Sequence, residues 1–361
     1  MSASRRKIST ETVGRLPGGN ALPYAIGAGA VVAALAISAL VNAKLAKKAE
    51  RDNPPAGAFV DVEGVRVHYV ERGSGEPVVL LHGNGSMIQD FESSGLIRRL
   101  SAQFRVIAFD RPGFGHSERP RGRVWSPQAQ AELFAAALQK IGVSRAVVIG
   151  HSWGASVAVA LALRYPQLVG ALVLASGYYY PSPRLDVLLL SGPAVPLLGD
   201  VIRYSISPII SRLMWPLLAR KLFGPEAVPA KFALFPKEMA FRPSQIRAAA
   251  AESAMMIATA YAARARYQEM VMPVFIIAGE QDQLVDIEEQ SARLHRELPQ
   301  SVMHRVPGAG HMVHHTATDR VMAAINEAAR AGNRDVAHTS LGRGELHGKR
   351  VQPHDAALTD L

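Results

Sequence analysis

Gly150-His151-Ser152-Trp153-Gly154 lies between an apolar run, Ala146–Ile149, and a helical pattern, Ala155–Arg164. The five residues read G-x-S-x-G, and their setting is that of a strand, a sharp turn and a helix. In such an elbow the nucleophile takes a strained backbone conformation, and its neighbours must be small because a side chain would strike the adjoining strand or helix. The serine hydroxyl is then presented at the mouth of a sheet, beside free N–H groups at a helix N-terminus. Ser152 is therefore the candidate nucleophile.

Working outward, short apolar runs recur with helical patterns between them: Val78–Leu81, Val106–Phe109, Ala146–Ile149, Leu172–Ala175, Val274–Ala278 and Val302–Val306. Runs this apolar, alternating with helices, imply an α/β protein with parallel strands buried on both faces of a doubly wound sheet. Ahead of them, Val60, Val62, Val65, Val67 and Tyr69 alternate around Glu63-Gly64, which reads as a hairpin. Between Ala175 and Val274 lie roughly 95 residues, several times a normal connection. This stretch is rich in Leu, Ile, Pro and Met, with helical patterns such as Gln245–Thr259, and is expected to form a helical cap (178–270) over a core made of 58–177 and 271–330.

A serine needs a base, and the base an acid. His311 follows the last strand pattern on a Gly-rich bend, Val306-Pro307-Gly308-Ala309-Gly310-His311, that can turn back over the sheet edge. His314 and His315 fall in the next helix and are expected at the surface; His304 lies within the strand pattern. Val274–Ala278 runs into Gly279-Glu280-Gln281-Asp282, which makes Asp282 the candidate acid, with Glu280 and Asp286 as alternatives. The order Ser152, Asp282, His311 is the one expected of this elbow. Developing oxyanion charge needs preorganised donors. The Trp153 N–H supplies one and the loop His82-Gly83-Asn84-Gly85 the other, from Asn84 or else Gly85. His82 is expected to bond loop backbone rather than act as a base.

Composition bounds the remainder. The 361 residues are 48% hydrophobic, enough for one large core with appendages, and the absence of cysteine excludes disulfides, thiolate metal sites and cysteine nucleophiles. No His/Asp/Glu cluster with metal-ligand spacing is visible, and no metal or cofactor is expected. A net charge of +10 comes from scattered basic residues without zinc-finger or RNA-binding patterns, so an anionic membrane surface is the better partner than nucleic acid. Leu22–Ala43 carries no charge and supplies roughly 20 apolar positions, enough for a hydrocarbon core of about 30 Å. It is expected to be a transmembrane anchor (22–43) after a disordered stretch (1–21) and before a linker (44–57). A cleaved signal ending at Val41-Asn42-Ala43 is the alternative. Arg5, Arg6, Lys7 and Arg15 before the run balance Lys44, Lys47, Lys48 and Arg51 after it, leaving the sidedness open. Residues 331–361 lack periodicity and are expected to be a flexible tail.

His82-Gly83, the Asp110-Arg111-Pro112-Gly113-Phe114-Gly115-His116-Ser117 turn, Gly150–Gly154, Gly279–Asp282 and Gly310-His311 together resemble the α/β-hydrolase superfamily over about residues 57–330. The resemblance implies an eight-stranded sheet with a cap inserted after the sixth strand, and a structural role for the Asp110–Ser117 turn. Relatives that resemble the chain in cap and loops, the haloalkane dehalogenases and epoxide hydrolases, use an aspartate nucleophile; Ser152 turns the expectation toward acyl transfer. The expected substrates are small apolar carboxylic esters. Perhydrolase or haloperoxidase-type chemistry and C–C bond hydrolysis use the same triad, and a membrane-tethered binding protein without turnover is the alternative of another class. Tyr178–Tyr180, Trp215, Phe223, Phe232, Phe235, Met255 and Met256 are expected to contribute to an apolar pocket in the cap.

Overall fold

The computed structural model describes residues 21–184, 187 and 191–347. The stretch expected to be disordered lies, but for Ala21, outside them, as do residues 348–361 of the expected tail. Helix α1 (Ala21–Asp52) precedes the folded domain. Strands β1 (Ala58–Val62) and β2 (Val65–Arg72) pair antiparallel. Glu63 and Gly64 both take positive φ, 52° and 77°, which matches a turn to the right-handed strand twist. Then follow β3 (Pro77–Leu81), α2 (Ile88–Ser94), β4 (Arg105–Phe109), α3 (Pro127–Lys140), β5 (Ala146–His151), α4 (Trp153–Arg164) and β6 (Val169–Ala175). The cap contains α5 (Leu198–Ser205), α6 (Ser207–Phe223) and α7 (Pro243–Ala263). The chain returns through β7 (Val274–Gly279) and β8 (Ser301–Val306) to α8 (Thr318–His347).

The eight strands form one sheet in the order β1-β2-β4-β3-β5-β6-β7-β8. Contacts from β4 to β8 are parallel, whereas β2 meets β4 antiparallel. The apolar runs split by alternation. Val79, Leu81, Val148, Leu172 and Ile276 pack with Phe134 of α3 and Leu161 of α4; Val78, Leu80, Val147, Val173 and Ile277 pack with Phe91 of α2 and Ile325 of α8. Each strand is thus apolar on both faces because helices cover both.

Three segments depart from expectation. The helix expected to end near Ala43 continues to Asp52, so only residues 53–57 remain of the linker. Lys44, Lys47 and Lys48 are good helix formers that stay exposed while Ala49 is buried, and Asn53 closes the end by donating from Nδ2 to the Ala49 carbonyl at 2.9 Å. Second, the expected tail begins as helix: α8 runs unbroken to His347. Val321, Ala324, Ile325 and Ala328 dock its first half on the sheet, and no proline follows before Pro353. Third, four of the aromatics expected in a cap pocket, Trp215, Phe223, Phe232 and Phe235, pack on one another, whereas Tyr178 and Tyr179 line a cavity. Trp215 stacks on Phe232 and Phe235, each with centroids 5.8 Å apart, and Phe223 and Phe232 are buried with Met87 and Met312.

Lengthening Gly154 tests the closeness of the layers. A Cβ there would sit 2.1 Å from the Leu81 carbonyl oxygen of β3, a backbone atom that cannot yield alone. Gly154→Ala is expected to lower unfolding free energy by about 1–3 kcal/mol, read by urea titration. A change below about 0.5 kcal/mol would mean that α4 and β3 are not in such contact.

Candidate active site

Ser152 stands between β5 and α4 with φ 53° and ψ −119°, a region that costs a non-glycine residue about 1–3 kcal/mol. The elbow is held by its surroundings. The Ser152 N–H donates to Ala175 O of β6 at 2.9 Å, and a Cβ on Gly150 would meet Gly154 O at 2.3 Å. Trp153 opens α4, so its N–H has no intrahelical acceptor.

His311 and Asp282 meet at the same sheet edge. His311 Nδ1 lies 2.7 Å from Asp282 Oδ2, and Asp282 Oδ1 accepts from the N–H groups of Leu284 (2.8 Å) and Val285 (3.0 Å). Both carboxylate oxygens are therefore fixed, and the carboxylate assigns the His311 proton to Nδ1, leaving Nε2 as the basic nitrogen. Neither alternative acid is so placed. Glu280 is exposed, and Asp286 is exposed and accepts from the Glu289 N–H at 2.9 Å.

The loop after β3 approaches the elbow closely: a Cβ on Gly83 would lie 3.2 Å from Ser152 Cβ. Asn84 follows it, with its side-chain Nδ2 donating to Ala249 O (3.2 Å) and Ser253 Oγ (3.1 Å) of α7. Among the described residues, neither the Asn84 nor the Trp153 backbone N–H finds a protein acceptor. His82 behaves as expected. Arg111 N donates to its Nε2 at 2.9 Å, so Nδ1 donates to Gly83 O at 2.8 Å. Burial, reinforced by Arg111, lowers its pKa to about 3.

Two features of the site had no signal in the motifs. The first is Arg111, in the turn to which no chemistry was assigned. Its buried guanidinium donates to His82 O (2.7 Å) and Gly83 O (2.9 Å) and forms a bidentate pair with Glu252 of α7. Gln130 Nε2 also donates to Glu252, at 2.9 Å. The carbonyls of the loop are thereby held on one side while cap and core are tied together. The rest of the turn is structural, as the resemblance implies. Asp110 accepts from Ile88 N, His116 N and His68 Nδ1; burial works most strongly, to raise its pKa, but the His68 bond, the neighbouring His68 and His82 rings and the Ile88 N–H together hold it below its usual value.

The second is an imidazole stack. His314 and His315, expected at the surface, are buried, because the single turn Val313–Thr316 faces inward toward α2. His315 Nε2 lies 2.7 Å from Asp90 Oδ1, and His314 Nε2 lies 3.1 Å from Oδ2 but out of hydrogen-bonding line. Burial alone would raise the Asp90 pKa, yet the two histidines hold it well below the usual range. The His151 ring sits 4.4 Å from that of His314 and 5.0 Å from that of His311, and its Nε2 donates to the His311 carbonyl at 3.1 Å. Although no metal-ligand spacing was visible in the chain, donor atoms of Asp90, His151 and His314 come within 4.8 Å of one another. Asp90 already commits one oxygen to His315 there.

A nucleophile-type elbow at the C-terminal edge of a doubly wound sheet, with a histidine–carboxylate pair beside it, defines an α/β-fold hydrolase. The chain belongs to the alpha/beta hydrolase fold family, whose pattern it matches over residues 76–318. It is 29% identical over 287 residues to haloalkane dehalogenase 2 of Mycobacterium tuberculosis, covering 76% of this chain and 95% of that protein. Among solved structures it resembles a thermophilic esterase from Thermogutta terrifontis (TM-score 0.58, 24% identity, 76% of this chain and 99% of that one). It also resembles a bacterial membrane phospholipase A (TM-score 0.59, 21% identity, 86% of this chain and 99% of that one). At these identities the two structures establish the fold.

Two outcomes follow from this geometry. Glu252→Ala leaves the Arg111 guanidinium buried without its carboxylate and is expected to cost about 3–5 kcal/mol in a urea titration; a loss under about 1 kcal/mol would mean that water or Gln130 replaces the pair. The second concerns pH. His82, His151 and His315 all have pKa values pushed below 6.5, first of all by burial. They are neutral when folded and free to protonate when unfolded, so their contribution is complete above about pH 6.5 and is lost progressively as the pH falls below it, for His82 down to about 3. Each adds up to about 1.4 kcal/mol per pH unit. Stability flat from pH 6.5 to 4 would show that these rings are hydrated.

Proposed function

We propose that the chain is a membrane-anchored serine hydrolase that cleaves carboxylic esters with an apolar acyl or alcohol part through an acyl-enzyme. The observation that carries this reading is Ser152 on its strained elbow, at the sheet edge where the Asp282 carboxylate orients the His311 ring, 5.0 Å from the ring of the adjoining His151. In the reaction, Ser152 Oγ attacks the ester carbonyl while His311 Nε2 takes its proton. The N–H groups of Trp153 and Asn84 receive the oxyanion, where donors fixed in advance act without reorganising. Collapse expels the alcohol, protonated by His311. Water, deprotonated by the same nitrogen, then releases the acid and restores Ser152.

The serine also argues against the activity named for the dehalogenase relative. Displacement of a halide by a carboxylate gives an ester that water can cleave, whereas a serine would be left as an ether. Acyl transfer is the chemistry for which a serine intermediate turns over. The anchor reading rests on α1, which from Ile26 to Asp52 is long and apolar enough to cross a membrane, with little of its apolar part buried.

A panel of p-nitrophenyl esters from acetate to decanoate tests the chemistry. Ser152→Ala and His311→Ala are each expected to lower kcat/KM by roughly 10⁴ or more, with wild type preferring the longer acyl chains. Undiminished turnover by Ser152→Ala would overturn the mechanism. A wild type inactive on every acyl donor would favour a binding protein instead.

A further inference from the structure

We infer that the outward face of cap helices α5 and α6 is a membrane surface, seated in the bilayer leaflet nearest the folded domain. The inference rests on the reading of α1 as an anchor and extends it from a tether to a defined depth and orientation of the catalytic domain.

The first argument is one of length. Only the first part of α1 stands clear of the protein: its described side chains from Tyr24 to Ala34 are exposed, and partial burial begins at Leu35. Residues 21–34 rise roughly 21 Å at 1.5 Å each, against a hydrocarbon thickness of about 30 Å. To span, the anchor must use roughly six further residues, to about Leu40. Those residues are docked on the cap. Ser38 Oγ donates to Ser205 O, and Asn42 Nδ2 donates to Tyr204 O and Ser205 O at 3.0 and 3.1 Å. The last turn of α5 is therefore held at the depth of Ser38–Asn42, on the bilayer side of Lys44, the first charge after the apolar run.

The second argument is one of pattern. On α6 the exposed large apolar residues are Ile209, Ile210, Leu213, Met214, Leu217 and Leu218, spaced i, i+1, i+4, i+5, i+8, i+9. That is one continuous helical stripe, and it points outward; Leu213 is 74% exposed. On α5, Leu198, Val201 and Tyr204 are exposed as well. The charges within these helices are paired: Arg212 is held by Glu238 and by Asn42 Oδ1 of α1, and Asp200 of α5 by Arg203 and Arg121. Among the described residues of α5 and α6, the basic groups without an ion-pair partner are Arg220 and Lys221 at the C-terminal end of α6, where, like Lys44 and Lys47, they suit anionic headgroups. A helix with its apolar stripe outward, continuous with a membrane-spanning helix and ending in basic residues, fits a lipid surface. The same helix reaches the site, since Leu222 O accepts the His311 backbone N–H at 3.0 Å.

The chain has no cysteine, so single-cysteine variants of the full-length protein carry an environment-sensitive fluorophore without background. Leu213→Cys and Leu217→Cys probe the cap, Ile37→Cys the anchor and Gln139→Cys the exposed end of α3. All four positions are exposed, and each variant is compared with wild type by circular dichroism. In phosphatidylcholine/phosphatidylglycerol vesicles the two cap labels and the anchor label are expected to shift to the blue and to be quenched at least twofold by nitroxide-bearing lipids, with Gln139→Cys unchanged. A quenched anchor label with water-like cap labels would overturn the inference and leave the anchor intact. An unquenched Ile37→Cys label would defeat the anchor reading and this inference with it. Cap labels shifted to the blue but insensitive to nitroxide lipid, and reverting on dilution of protein in lipid, would identify a second copy of the chain as the occupant and overturn it.

Discussion

The active site depends on a backbone conformation that the chain would not adopt by itself. Ser152 is held at positive φ because β5 enters and α4 leaves with no room between them, and because its N–H is tied to β6. A side chain at Gly150 or Gly154 would collide with backbone, so the two glycines are a consequence of packing rather than of flexibility. The strain of about 1–3 kcal/mol is offset by burial of the strands and helix on either side. Its result is a hydroxyl at the sheet edge and an N–H at the start of a helix, the arrangement on which the proposed acyl transfer rests.

Around that elbow the remaining parts are fixed by buried polar contacts. Arg111 sets the carbonyls of the His82–Gly83 loop and pairs with Glu252 of the cap, so this loop and the cap are one hydrogen-bonded unit. His151 supports the His311 loop from beneath, backed by His314 and by Asp90 with His315. Buried polar networks of this sort specify geometry at the expense of tolerance: loss of one member leaves an unpaired group where no water can reach it. The cap is bound to the site at a third point, Leu222 to His311, at the end of the helix with the outward apolar stripe.

Much of this was legible in the chain. The sheet could be read because strands covered on both faces leave uninterrupted apolar runs, and the elbow at Ser152 and the pairing of Asp282 with His311 because each residue follows such a run at a turn. What could not be read is whatever depends on inward direction. Nothing in Val313-His314-His315-Thr316 says that a single helical turn faces Asp90 rather than solvent, and Arg111 looks like any basic residue in a turn until Glu252 arrives from roughly 140 positions away. The cap is ambiguous by pattern alone. Trp215, Phe232 and Phe235 resemble a pocket lining yet stack into a core, and the stripe on α6, which resembles an ordinary core face by period, is turned outward. Periodicity reveals that a face exists; only the fold reveals what it meets.

The central claim is that Ser152 is the nucleophile, and its most direct test is covalent. A fluorophosphonate that mimics the tetrahedral intermediate should add once to the full-length protein, and peptide mapping by mass spectrometry should find the adduct on Ser152, abolished in His311→Ala. An adduct on another residue, or none while ester hydrolysis continues, would contradict the account.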